Sequence, residues 1–180
     1  MGGGRSHSVA REGDTVGTRK TVRLALLVAM GLALFLFEST IPRPVPWLRL
    51  GLANVATLMA LSLFGLREAF VVAVLRAVLG SMIVGGLLNP SFVFSLLGGL
   101  VSATMMALVV RFSGGVFSVV GVSVWGALAH NLSQLALAII VFVRRWELLS
   151  LVPLFLLSSV GTGFFTGVVV FLLLERLSST

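Results

Sequence analysis

From residue 21 onward the chain is a succession of apolar runs separated by short polar or turn-forming stretches. The runs cover about 21–41, 50–64, 67–88, 91–112, 116–143 and 148–174. A helix needs about 20 apolar residues to cross a hydrocarbon core of about 30 Å. Only 50–64 falls short, so it is expected to be shielded by protein or to enter below the surface. The breaks carry turn chemistry: Pro42, Pro44 and Pro46, then Gly65, Asn89-Pro90, Gly114-Gly115 and Pro153. The pattern predicts an all-α, polytopic membrane protein with six transmembrane helices over 21–176. Residues 1–20 are rich in Gly, Ser and charge and are expected to form a disordered basic tail on the cytoplasmic side.

Composition agrees with this pattern and narrows the chemistry. The chain is 58% hydrophobic, against about 45–50% for a soluble domain, and its mean hydropathy is +1.13. It has no cysteine, no tyrosine and a single aspartate, Asp14. Disulfides, thiolate sites and a Cys nucleophile are excluded. Acid/base and metal chemistry are thinly supplied, so no metal and no cofactor is expected.

The net charge is +7. No nucleic-acid-binding motif accompanies it. Arg5, Arg11, Arg19, Lys20 and Arg23 instead cluster before or at the first apolar run, where a membrane protein keeps its cytoplasmic positive charge. That run could be a leader's apolar region behind a basic segment, but cleavage is not expected, because Glu38-Ser39-Thr40-Ile41-Pro42 supplies no small-x-small site. With six spans both termini share one side. That side carries those five residues with Arg67, Arg111 and Arg176, eight in all, against four (Arg43, Arg49, Arg144, Arg145) opposite. The bias places both termini in the cytoplasm of a multi-pass cell-membrane protein. If 50–64 did not cross, the later assignments would reverse.

In this orientation the polar side chains gather toward the outer end. Glu38 closes the first span, with Arg43 and Arg49 in the loop beyond. Asn54 lies just inside the second span, and Asn89 occupies the next outer loop. His130, Asn131 and Gln134 fall in the middle and outer half of the fifth. His130 and Gln134 are four apart, and Asn131 and Gln134 three apart, so they share a broad helix face. Their amides and imidazole suit a polar ligand, or else an interhelical hydrogen-bond network with Asn54 as a partner. Arg76 lies near mid-depth in the third span with no acidic partner in mid-span. Either backbone carbonyls or a carboxylate or phosphate of a substrate could satisfy it. Glu38 with Arg43 or Arg49 reads as an outer gate or loop-pinning pair. Trp47 and Trp125 suit a flat ring or interfacial anchoring.

Three stripes of small residues recur at four-residue spacing. Ser95, Gly99 and Ala103, and Ser159, Gly163 and Gly167, read as bundle packing. Ala25, Ala29 and Ala33 fit either packing or the docking of a partner subunit.

The segments Leu50-Gly51-Leu52-Ala53-Asn54-Val55-Ala56-Thr57-Leu58, Phe64-Gly65-Leu66-Arg67-Glu68-Ala69, Arg76-Ala77-Val78-Leu79-Gly80-Ser81 and Ala129-His130-Asn131-Leu132-Ser133-Gln134 together resemble the heptaprenyl diphosphate synthase component I family, also called the Gx transporter family. The resemblance covers about residues 21–175. That family is similar to the substrate-binding S components of energy-coupling factor (ECF) transporters, six-helix bundles with cytoplasmic termini. It implies capture of a small-molecule ligand near the outer face. It also implies docking on an ECF-type transmembrane coupling subunit and its ATPases through an Ala-x-x-x-Ala face on helix one, matched here by Ala25, Ala29 and Ala33. In this reading Arg49, Asn54, Arg76, Asn89, His130, Asn131 and Gln134 line the site, with 42–46 as a lid. The alternative follows the enzyme name: a membrane accessory subunit of heptaprenyl diphosphate synthase in quinone side-chain synthesis. Prenyl elongation needs Mg²⁺ held by aspartate-rich motifs, so no catalytic activity of its own is expected. Nor is there a Gly-x-x-x-x-Gly-Lys-Ser/Thr loop to hydrolyse ATP.

Overall fold

The computed structural model describes residues 4–41, 51–87 and 89–179, with side chains from Gly17 onward. Its described residues form six α-helices: α1 Gly4–Thr40, α2 Asn54–Phe64, α3 Leu66–Ile83, α4 Pro90–Phe112, α5 Val119–Leu137 and α6 Val152–Ser178. A π-helical segment, Ala138–Val143, extends α5, and a 3₁₀ helix, Trp146–Leu151, leads into α6. Helical backbone runs through 4–20, where composition predicts a disordered tail. No proline precedes Pro42, so nothing blocks N-terminal propagation of the helix from its apolar part. A salt bridge from Lys20 to Glu68 ties the base of α1 to the first turn of α3.

The turn residues act as the sequence predicts. Gly65 takes a φ of 107°, and its N–H reaches the carbonyls of Ala60 and Leu61, ending α2. Asn89 caps α4 by accepting from Ser91 N at 3.1 Å, with Pro90 at the first helical position.

Four segments are long and apolar enough to cross a membrane: Gly17–Thr40, Pro90–Phe112, Val119–Val143 and Trp146–Ser178. The 18-residue α3 carries Arg67, Glu68 and Arg76. The 11-residue α2 spans ~16 Å, roughly half a hydrocarbon core. As its length predicts, α2 is sheltered. Every residue from Asn54 to Ala60 is buried, because α1, α3, α4 and α6 all pack against it. Large apolar side chains cover the outside of the bundle, among them Phe112, Leu157 and Trp146, each more than two-thirds exposed. An apolar exterior around a packed interior is what lipid selects.

One cluster forms the apolar core: Leu27 and Val28 of α1, Val55, Ala56, Leu58, Met59 and Ala60 of α2, Ala69 and Val72 of α3, Met106, Val122 and Val170. Thr57, Ser102, Ser123 and Thr166 are buried among the same helices, while Glu38, Asn54, Arg76, His130, Asn131 and Gln134 are the larger buried polar side chains.

Candidate functional site

Construction of the polar end begins where α1 finishes. Glu38 is only 4% exposed, and its Oε1 accepts from the backbone N–H of Gly51 at 2.9 Å. Gly51 has a φ of +79°, a conformation that favours glycine. Its carbonyl accepts from Asn54 N at 2.8 Å and so opens α2. Glu38 is thus buried at this turn, and its expected partners Arg43 and Arg49 lie outside the described residues. It is a buried clamp on the turn that positions Asn54.

Asn54 in turn meets Arg76. Its Oδ1 accepts from Arg76 Nη2 at 2.7 Å, a charge-assisted hydrogen bond of the stronger kind. Arg76 is 2% exposed, and glycines on two helices make room for it. A Cβ on Gly31 of α1 would lie 3.3 Å from Arg76 Cδ, and one on Gly99 of α4 would lie 3.1 Å from Nη2.

His130 continues the belt on α5. Its ring lies over Gly98, where a Cβ would come within 2.7 Å of Cε1. Gln134 Nε2 stands 3.0 Å from His130 Nε2, the contact that four-residue spacing allows. Which partner donates in this contact is set by the imidazole tautomer. Asn131 faces α6, donating from Nδ2 to Ser159 Oγ at 2.8 Å, while Ser159 donates to the Phe155 carbonyl.

Three buried oxygens make no hydrogen bond among the described residues: Thr57 Oγ1, Ser102 Oγ and Asn131 Oδ1. Each residue is 1% exposed or less. Leaving such groups unmatched is costly away from water, so Asn131 Oδ1 beside the belt, and Thr57 Oγ1 and Ser102 Oγ deeper in the bundle, offer hydrogen-bonding capacity that a water or a polar ligand could use. The donor set is amide, imidazole, guanidinium and hydroxyl with one carboxyl, and no group of three potential metal ligands occurs among the described residues.

The structure thus brings Asn54, Arg76, His130 and Gln134 into one buried belt, with Asn131 on the adjoining side of α5. Asn89 lies apart from it, exposed and serving as a helix cap. Arg49, with Arg43, Trp47 and the 42–46 lid, lies outside the described residues. Sequence reasoning missed Gly31 and Gly98 and read Gly99 only as bundle packing; the absent side chains of all three admit Arg76 and His130. The signal available was the Gly98-Gly99 pair inside an otherwise bulky span.

The three small-residue stripes separate in space. Ser95, Gly99 and Ala103 are buried, as are Ser159, Gly163 and Gly167. A Cβ on Gly163 or Gly167 would fall 2.6 Å from the Cα of Val124 or Val120 respectively. Both stripes therefore close the bundle. Ala25, Ala29 and Ala33 are exposed on the outer face of α1.

These features define a helical bundle of membrane-spanning character, with a buried polar belt at one end and an uncovered small-residue ridge. The chain belongs to the heptaprenyl diphosphate synthase component I family, whose model matches residues 27–173. No match was found among curated proteins or solved structures.

Proposed function

We propose that this chain is the membrane-embedded accessory subunit of a prenyl diphosphate synthase, acting beside a separate catalytic subunit. The observation that carries this reading is family membership across most of the chain, in a family described as component I. A first component implies another. The chemistry agrees, because diphosphate departure calls for Mg²⁺ on clustered carboxylates and this chain's one aspartate is Asp14. Four long apolar helices suit a subunit that holds its partner at the bilayer, where a long prenyl product partitions. The test is affinity purification of the full chain from gently solubilised membranes. The expected result is co-purification of a soluble, aspartate-rich prenyl synthase, with altered quinone side-chain length on deletion. The absence of both the association and the altered length would sink the reading.

A second reading is favoured by a specific observation, the buried polar belt with its unmatched oxygens. In it the chain is an S-component-like substrate-binding protein of the cell membrane, with both termini cytoplasmic. Asn54, Arg76, His130, Asn131 and Gln134 then contact a small molecule, with Arg49 and Asn89 in the adjoining loops. Ala25, Ala29 and Ala33 dock on an ECF-type coupling subunit. Native mass spectrometry of the same preparation discriminates: this reading requires a bound small molecule and co-purifying ATPases.

A further inference from the structure

At the polar end, α5 does not finish as a regular helix. It loosens into the π segment Ala138–Val143 and stops at Arg144, whose φ of 54° is the one positive value at a non-glycine residue among the described residues. The chain then reverses through Arg145 into the 3₁₀ helix. Between these elements lies an apolar cleft of about 250 Å³, walled by Leu135 and Ile139 on one side and by Trp146, Leu149 and Val152 on the other. Its floor is fixed, since Leu135 and Ile139 are buried with Phe155 in a small core of their own. Its outer wall is not covered: Trp146 is 71% and Leu149 51% exposed.

Arg144 and Arg145 immediately precede Trp146 and are exposed. Neither forms an ion pair among the described residues. The two adjacent cations lie between the membrane-length segments Val119–Val143 and Trp146–Ser178, and Arg beside Trp at such a junction favours headgroup level.

We propose that this cleft is a binding site for an anionic phospholipid, one acyl chain lying in the groove and the headgroup phosphate held by Arg144 and Arg145. Charge complementarity selects this occupant. A zwitterionic lipid fills the groove equally well but gains less from two arginines, and a water-soluble ligand has no use for an all-apolar wall. The proposal needs only that these helices lie in a bilayer, so it holds under either functional reading.

The test is lipid retention by the full-length protein. After delipidation, the protein is offered equal amounts of phosphatidylglycerol and phosphatidylcholine, and bound lipid is read by native mass spectrometry. Phosphatidylglycerol should be retained in preference by roughly tenfold to thirtyfold, the bias two arginines at a headgroup supply. Arg144→Gln/Arg145→Gln should abolish the preference, and Arg144→Lys/Arg145→Lys should keep most of it. Equal retention of the two lipids by the unaltered protein, or undiminished preference in the glutamine variant, overturns the site. If the glutamine variant does not fold, the comparison of lipids on the unaltered protein decides alone. Farnesyl diphosphate at equal concentration should not displace the lipid. Full displacement would overturn the assignment in favour of a prenyl diphosphate.

Discussion

Arg76 and Asn54 stand eleven positions on either side of Gly65, and Arg76 Nη2 donates to Asn54 Oδ1 at 2.7 Å. The two facts are one. Helices joined by a single-residue turn run back along each other, so residues equidistant from the turn arrive at the same level. A double-mutant cycle with Asn54→Leu and Arg76→Met should give a coupling energy of about 1–2 kcal/mol, at the upper end for polar pairs between membrane helices. Asn54→Leu alone should cost more than the coupling, since it deprives a buried guanidinium of a partner. Reversible unfolding in mixed micelles measures both.

Two glycines on α6 should behave oppositely. Gly161 has nothing within 4 Å of an added Cβ, whereas a Cβ on Gly163 would meet the Val124 backbone at 2.6 Å. Gly161→Ala should be neutral or stabilise by up to about 1 kcal/mol. Gly163→Ala should destabilise by about 1–3 kcal/mol, because α5 and α6 must separate. Thermal midpoints of the two variants check the sign in each case.

Gly98→Ala should disturb the belt specifically. The new methyl would displace the His130 ring, which lies within 2.7 Å of its position, and so break the contact with Gln134. The His130 ring resonances should shift by nuclear magnetic resonance, while Gly161→Ala, at a helical glycine with no neighbour within 4 Å of an added Cβ, should leave them in place.

Ala29→Leu should leave the isolated protein's stability within about 0.5 kcal/mol of the parent, as expected at an exposed site. Under the S-component-like reading, partner association should weaken when Ala25, Ala29 and Ala33 are all changed to Leu. Retention of the partner by the triple variant would show that the ridge faces lipid alone.

Much of this arrangement is legible in the sequence. Gly65, Asn89-Pro90 and Pro153 mark helix ends because their backbone chemistry is local. The contact of His130 with Gln134 follows from four-residue spacing alone. The concentration of polar residues at one end follows from counting along alternating helices. Facing is a different matter. Ala25-x-x-x-Ala29-x-x-x-Ala33 and Ser159-x-x-x-Gly163-x-x-x-Gly167 have the same spacing, yet one is exposed and the other buried, since exposure depends on which helix arrives opposite. Glu38 reads as the end of the first span facing a loop arginine, and its hydrogen bond from a backbone N–H thirteen positions away is one that no side-chain pattern reveals. The π segment after α5 leaves no compositional trace, as Ala138–Val143 is as apolar as the helix before it.

The enclosure of α2 bears on how the protein is made. An eleven-residue helix buried from Asn54 to Ala60 is too short to hold a transmembrane position by itself, and its neighbours α4 and α6 emerge from the ribosome only afterwards. The middle of the finished molecule is therefore the last part to reach its final surroundings. Until α6 arrives, the nascent α2–α3 hairpin must be sheltered by the insertion machinery or lie at the bilayer surface. Chains truncated before Val152 should consequently expose 54–64 to protease or to quality-control recognition, even with α1 and α3 already in place.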